Sequence, residues 1–391
     1  MAKTKFSKRK QKNKTRKTKK IKGGVLRRFS TKQELKEAID RFCNIQTKAD
    51  VIDQYGDIKT WNVSAIADME GLFKDKYMFN EDISRWDVSN VTNMNKMFEN
   101  CRRFNQPLGY VDAANPGWNV SNVTNMQNMF LGCWIFNQPL ADTDAGPGWN
   151  VSNVTNMVGM FGACNNFNQP LNSWDVSNVT NMVGMFSNCT IFNQPLGSWN
   201  VSNVTNMQRM FLGCTDFNQP LNSWDVSNVT NMSSMFWGAT NFNQPLICWK
   251  VKKSCYLSDM FYGATTFLNQ PDEVLVDNLF LINDVSDENS HKNMFGDYDG
   301  VRTNNNPKYP RIRDLQIKKQ IKKQSKIESK CISELGVKRN LPDTTKPYIF
   351  SFLHPTRADE YGTSVAIAGP SVTRAMQTLK QKLVPKIKKT N

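Results

Sequence analysis

The side chains that most often do chemistry in proteins are scarce in this sequence or stand in unpromising positions. Only two histidines are present, His291 and His354, which leaves no Ser-His, Cys-His or histidine metal cluster with usable spacing. None of the nine cysteines lies in a CxxC pair. Asp175 and Asp225 could act as paired carboxylates, but Asn200 occupies the same position of a repeated motif. We therefore expect neither an enzyme nor a protein that needs a metal or cofactor.

These residues are embedded in a sequence that repeats itself. One unit reads W-[DN]-V-S-N-V-T-N-M-x-x-M-F-x-x-C-x-x-F-N-Q-P-L-x-x, and residues 174–198 match it throughout. A fixed period of about 20–50 residues is typical of stacked repeats, in which each unit buries its apolar face against its neighbours. The marker tryptophans are Trp61, Trp86, Trp118, Trp149, Trp174, Trp199, Trp224 and Trp249.

The apolar positions of the unit predict a repeat solenoid. Met182, Met185 and Phe186 are spaced i, i+3 and i+4, which places them on one face of a short helical turn. A short strand in each unit would set neighbouring units about 4.8 Å apart. We expect about eight to nine coils of ~25 residues, each with a short strand and a short helical turn.

The polar positions repeat as strictly as the apolar ones. Asn178, Asn181 and Asn193 recur in nearly every unit, and their amides are expected to form stacked ladders with backbone groups at the corners. Pro195 fixes φ at one of these corners. The alternative is that the asparagines bind a ligand.

The motif WDVSNVTNMxxMF followed by FNQPL resembles the BspA-like leucine-rich-repeat surface protein family, in its Trp-Asp-Val-Ser subtype. The resemblance covers roughly residues 55 to 270. It implies a right-handed, leucine-rich-repeat-like solenoid that is used for binding and has no known catalytic activity. Members occur on bacterial surfaces and also in algae and giant DNA viruses, and a giant-virus or eukaryotic origin is expected here.

Charge divides the chain into three parts. Residues 1–28 carry 14 basic residues and no acid, residues 29–300 carry 16 basic and 28 acidic residues (16 − 28 = −12), and residues 301–391 carry 20 basic and 6 acidic residues (20 − 6 = +14). The first part is too charged to fold alone and is expected to be a disordered basic arm. It could bind nucleic acid or another polyanion, direct nuclear import, or only solubilise the chain. Its candidate polyanion-binding residues are Lys8, Arg9, Lys10, Lys12, Lys14, Arg16, Lys17, Lys19, Lys20 and Lys22.

No apolar run is long enough for a transmembrane helix, and no apolar stretch near the N-terminus marks an ordinary signal peptide. We therefore expect an intracellular protein, in the cytoplasm or nucleus of a host cell, or a virion component. A monomer is expected.

The repeats are expected to be flanked by caps and a tail. Residues 29–58 predict a helical cap, in which Thr31 and Glu34 form a capping box before one helix over 30–45. The repeats occupy 59–270, and 271–300, with Met294-Phe295, forms a degenerate last coil or a cap. Residues 301–391 form a basic tail that is helical or disordered, with a basic helix over 311–335.

Five cysteines occupy one repeat position and should stack in a column. Stacked neighbours could accept a disulfide, but reduced, buried thiols are expected without a secretion signal. Because Ala239 and Ala264 stand at the same position, we expect it to require a small side chain rather than sulfur. The five are Cys101, Cys133, Cys164, Cys189 and Cys214.

Two features are candidates for partner binding. Insertions at 109–117 and 141–148 fall at the same point of adjacent coils, so the loops should emerge side by side. The two residues after the cysteine position vary between coils, so they should form a strip along the repeats. Neutral variation is the alternative for both, and calcium binding by the second loop lacks ligands. The loop candidates are Tyr110, Asp112, Asn115, Asp142 and Asp144; the strip candidates are Arg102, Arg103, Trp134, Ile135, Asn165, Asn166, Thr190, Ile191, Thr215 and Asp216.

A short apolar segment in the tail offers a second hypothesis. Residues 341–354 resemble the opening of an F-box, the motif that docks on the Skp1 subunit of cullin ubiquitin ligases, through Leu341, Pro342, Ile349, Phe352 and Leu353. The sequence thus favours a non-catalytic scaffold whose repeats bind a protein and whose basic ends bind nucleic acid or another polyanion. The alternative is a substrate adaptor of a ubiquitin ligase.

Overall fold

The computed structural model describes residues 28–144, 146–252, 254–280, 294–295, 312, 314–316 and 318–319. The chain divides into two units, Met1–Gln320 and Ile321–Asn391, and every described residue belongs to the first. Among the described residues up to 280, the structure contains four α-helices and one 3₁₀ turn, with turns between them. No helix among the described residues is long and apolar enough to cross a lipid bilayer.

Two helices precede the repeats. Helix α1 spans Lys32–Phe42, and the hydroxyl of Thr31 accepts the backbone N–H of Glu34 at 3.2 Å, so the predicted N-cap is confirmed. The buried residues of α1 are the predicted apolar stripe, Leu35, Ala38, Ile39 and Phe42. A second helix, α2 (Lys48–Tyr55), was not predicted, and a 3₁₀ turn at Ile58–Thr60 follows it.

The helices close over the ring of Trp61, the first marker tryptophan. The rings of Phe29, Phe42 and Tyr55 lie 5.1, 5.7 and 5.8 Å from it, centroid to centroid. On its other side, the Trp61 ring stacks on Trp86 of the next repeat at 6.4 Å. The helical segment therefore covers the apolar end of the first repeat.

Successive repeats are joined by parallel backbone hydrogen bonds. The N–H groups of Met182, Gly184 and Phe186 donate to carbonyl oxygens of the following repeat at 3.0, 2.8 and 3.0 Å. Only isolated parallel bridges result, such as Asn181 with Asn206, and the described residues contain no strand. The prediction of a short strand in each repeat is wrong for these residues, because the hydrogen-bonded segment consists of turns and is not extended.

The predicted helical turn is also wrong. Met185 donates to the carbonyl of Met182 at 3.2 Å, three residues back, and Gly184 and Asn188 have φ of +59°. Left-handed residues at this spacing interrupt an α-helix, and they turn the N–H groups toward the neighbouring repeat. The three apolar side chains of the predicted face, Met182, Met185 and Phe186, are nevertheless fully buried.

The core consists of columns of identical side chains. The rings of Phe161, Phe186 and Phe211 follow one another at 5.7 and 5.8 Å, and Phe186 also stacks on Phe192 at 4.2 Å. Each marker tryptophan donates from Nε1 to a carbonyl of an earlier segment, as Trp199 does to Leu171 at 2.9 Å. Burying one such apolar side chain contributes about 1.5–3 kcal/mol, so a repeat gains most of its stability from its neighbours.

The other end of the repeats is covered by residues after Trp249. Helices α3 (Thr265–Leu268) and α4 (Asp272–Asn278) follow the last regular turn, and Phe280 stacks on Trp249 at 6.2 Å. Phe295 lies 6.2 Å from Phe261 and so continues the phenylalanine column, as a degenerate last coil would. Described residues within 312–319 are helical, and Ile312 is buried in the same core, so the core extends past the predicted boundary at 300.

Candidate interaction surface

The asparagines of the motif hold the repeats together. The Asn178 amide donates to the Ser152 carbonyl of the preceding repeat at 2.8 Å. The amide oxygen of Asn168 accepts both the backbone N–H of Asn193 and the Gln194 side-chain amide, each at 3.0 Å. These contacts confirm the predicted structural ladders, since these amide groups are already bonded to the neighbouring repeat.

The aspartates of the motif shape a local turn. The Asp175 carboxylate accepts the Ser177 backbone N–H at 3.0 Å, and the Ser177 hydroxyl and N–H lower the pKa of this carboxyl. Asn200 makes the same contact with the N–H of Ser202 at 3.2 Å. An amide oxygen and a carboxylate oxygen can both serve as this acceptor, which explains why the two residue types exchange.

The cysteine column is buried, and its thiols are free. Each Sγ lies within 2.8–3.1 Å of the carbonyl oxygen of a phenylalanine in the preceding repeat, as Cys189 does with Phe161. Burial raises the pKa of these thiols, so they stay protonated and can donate. The expectation that this position needs only a small side chain was incomplete, because the sulfur also links two repeats.

The predicted strip lies at the surface, and backbone hydrogen bonds join several of its successive members. The backbone N–H groups of Arg103, Asn166 and Asp216 donate to strip carbonyls of the preceding repeat at 3.2, 3.1 and 3.0 Å. The second residue of every pair is exposed, and the first residue is half-buried in the later repeats. We call these residues the variable strip: Tyr77, Met78, Arg102, Arg103, Trp134, Ile135, Asn165, Asn166, Thr190, Ile191, Thr215 and Asp216.

Tyr77 and Met78 belong to the strip but were missed in the sequence. They stand one period of 25 residues before Arg102 and Arg103, so alignment of the first, degenerate repeat could have found them. Met78 is 70 % exposed and Tyr77 is 46 % exposed. With Trp134 at 46 % and Ile135 at 41 %, they place exposed apolar side chains on both sides of Arg102 and Arg103, in the first and third repeats of the strip.

The Arg102 guanidinium lies between two aromatic rings of this apolar section. Its central carbon is 4.7 Å from the centroid of the Tyr77 ring and 4.4 Å from that of the Trp134 ring. Both distances are within the range of a cation–π interaction. Three successive repeats thereby contribute one side chain each to a single stack.

The two inserted loops contact each other, as predicted from their positions. A Cβ atom on Gly146 would lie 2.6 Å from the Tyr110 ring, so Tyr110 covers the second loop. Asp112 accepts N–H groups of Ala114 and Asn115 at 2.8 Å, and Asp142 accepts the N–H of Gly148 at 2.7 Å. Both carboxylates therefore brace their own loops.

Of the two remaining loop candidates, Asn115 makes a structural hydrogen bond and Asp144 is exposed to solvent. The Asn115 amide donates to the Ser84 hydroxyl at 2.8 Å, which anchors the first loop to the preceding repeat. Among the described residues, no group of three or more His, Cys, Asp or Glu side chains is arranged to hold a metal ion.

Two sets of predicted residues lie outside the described residues. The polyanion-binding candidates between Lys8 and Lys22 precede residue 28, where the description begins. The F-box-like candidates between Leu341 and Leu353 fall in the second unit of the chain.

Comparison with known proteins gives one family. The model for "Mycoplasma protein of unknown function, DUF285" matches three overlapping segments, residues 41–147, 113–212 and 195–306. No curated protein and no solved structure matches the chain. The three matches together cover residues 41–306, more than half of the 391 residues and all the marker tryptophans. This chain is therefore a member of the DUF285 family.

Proposed function

We propose that this protein is a non-catalytic scaffold that binds a protein partner along the variable strip. In this proposal the repeats form a BspA-like solenoid of about eight to nine coils, and the basic ends bind nucleic acid or another polyanion. The repeats supply a rigid surface, and the residues that differ between repeats supply specificity.

The observation that carries the proposal is the contrast between the frame and the strip. Frame side chains such as Met185, Phe186 and Asn193 are buried or bonded to neighbouring repeats. The strip changes from Arg-Arg to Trp-Ile, Asn-Asn and Thr-Ile on an almost constant backbone. Exposed aromatic, methionine and arginine side chains, such as those of Trp134, Met78 and Arg102, are the types enriched in protein interfaces.

Site-specific photo-crosslinking tests the proposal. A benzophenone amino acid replaces Ile135 or Ile191 in the strip, and as a control it replaces Thr124 or Thr180, which are exposed elsewhere on the same two repeats. The full chain is then illuminated in extracts of the cells that produce it. We expect the strip positions to yield the same discrete adducts and the threonine positions to yield none. Equal crosslinking from both sets, or none from either, would contradict the proposal.

A further inference from the structure

We infer that the first three repeats of the variable strip hold a carboxylate-recognition site for an acidic peptide segment of the partner. The site consists of Arg102, clasped between Tyr77 and Trp134, with Arg103, Met78 and Ile135 beside it. The inference rests on the proposed function and names the chemistry of the partner at one part of the strip.

The stacked geometry fixes what Arg102 can contact. The central carbon of the guanidinium lies over both rings, 4.7 Å from the Tyr77 centroid and 4.4 Å from the Trp134 centroid, and a guanidinium that stacks on rings keeps its N–H donors at its edge. A planar edge of this kind matches the two oxygens of a carboxylate. Because the rings already hold the side chain, little conformational entropy is lost when a ligand binds.

The two arginines have no acidic partner in the described part of the chain. The ion pairs there join other residues, such as Lys74 with Glu99 at 3.1 Å and Lys32 with Asp68 at 2.8 Å. Arg102 and Arg103 are both exposed. Their hydrogen-bonding capacity is therefore available to a carboxylate supplied from outside.

The side chains around the arginines favour a peptide. Met78 is 70 % exposed and Ile135 is 41 % exposed, and they border the arginine pair with apolar surface. Such a surface suits an apolar side chain next to the acidic residue of the ligand. The ligand that matches both the arginine pair and the apolar surface beside it is a peptide in which Asp or Glu neighbours an apolar residue.

The same surroundings disfavour nucleic acid at this place. Asp75 is exposed two residues before Tyr77, and residues 29–300 carry 16 basic and 28 acidic residues (16 − 28 = −12). This background repels the many charges of a polyphosphate more strongly than the single charge of a carboxylate, which the arginine pair can neutralise. One face of each ring is also covered by Arg102 and is closed to base stacking.

Selection from a random 12-residue peptide library displayed on phage, against the full chain, tests the inference. We expect selected peptides to share an acidic residue within two positions of an apolar one. Arg102→Gln and Trp134→Ala should each raise the dissociation constant of these peptides by about tenfold or more. Arg102→Lys keeps the charge but lacks the planar fork, and it should also weaken binding. Arg85→Gln, which removes an exposed arginine elsewhere, should change the constant by less than about twofold.

The outcomes separate this inference from the proposed function. Peptides that lose binding on Ile191→Ala but not on Arg102→Gln would overturn the inference and leave the strip as a binding surface. An absence of selected peptides would overturn both. Binding of a 20-residue oligothymidine that Arg102→Gln abolishes would assign the site to nucleic acid and overturn the peptide. Near-identical thermal unfolding of the variants and the parent chain controls for misfolding.

Discussion

The thiol of Cys189 lies 2.8 Å from the carbonyl oxygen of Phe161 in the preceding repeat, and it is the donor of a hydrogen bond between the two units. The same contact recurs at the other four cysteines of the column. Where this position is cysteine, its side chain therefore contributes a link between repeats in addition to filling space.

Substitutions at this position should change stability in opposite directions. Cys189→Ala removes a buried sulfur and its hydrogen bond and should lower the free energy of unfolding by about 1–2 kcal/mol. Ala239→Cys places a thiol near the Phe211 carbonyl and should raise it by up to about 1 kcal/mol. Urea unfolding of the full chain measures both. A Cys189→Ala variant as stable as the parent chain would show that the sulfur contributes nothing.

The left-handed residues allow a similar test of the turn. Gly184 and Arg209 occupy equivalent positions with φ of +59° and +57°. Arg209→Gly should stabilise the protein by about 1 kcal/mol, because a residue with a Cβ atom is strained there. Gly184→Ala should cost about 1 kcal/mol, since a Cβ atom on Gly184 has its nearest neighbour at 3.7 Å and meets backbone strain rather than a clash. Changes of the same sign in the two variants would contradict the turn geometry.

The turn aspartates predict a specific dependence on pH. The hydrogen bonds from Ser177 lower the folded-state pKa of Asp175, so its ionised form stabilises the fold. This contribution is present above the pKa of the unfolded chain, about 3.9, and is lost as the pH falls through the folded-state value. Asp175→Asn should therefore be less stable than the parent at pH 7, and the difference should shrink below about pH 4. A difference that does not change between pH 7 and pH 3 would refute this assignment.

Burial was predictable from the sequence because the spacing of apolar residues determines which side chains face inward. Met182, Met185, Phe186 and the capping helix with its Thr31 cap follow that rule. The backbone conformation between these side chains was not predictable, because the spacing i, i+3, i+4 also fits a chain of turns with left-handed residues at Gly184 and Asn188. A glycine at one of these positions in some repeats, and Asn, Arg or Ser in others, gives only a weak signal for positive φ.

The variable strip was also predictable from the sequence, because its residues differ from repeat to repeat while the frame residues stay constant. The clasp of Arg102 between Tyr77 and Trp134 was not, because it joins side chains from three repeats, 25 and 32 residues apart. Only the stacking of the repeats brings these residues together, and one of them lies in the degenerate first repeat.

The basic arm predicts salt-dependent binding to nucleic acid. Affinity of the full chain for a 20-residue oligothymidine should fall by about a thousandfold or more between 50 and 200 mM salt, because counterions are released from the phosphates. Replacing the ten candidates from Lys8 to Lys22 by glutamine should flatten this dependence. As a control for charge loss, glutamine at Arg102 and Arg103 should leave it unchanged. An unaltered salt dependence in the ten-residue variant would contradict the role of the arm.

The most direct test of the scaffold proposal is hydroxyl-radical footprinting of the full chain with and without its crosslinked partner. Met78 and Trp134 are oxidised readily when exposed, and they report on the strip, while Tyr256, 57 % exposed, and Ile45, 92 % exposed, report on other surfaces. The account predicts that the partner protects Met78 and Trp134 several-fold and leaves Tyr256 and Ile45 unchanged. Protection of Tyr256 or Ile45 with continued oxidation of Met78 and Trp134 would contradict it.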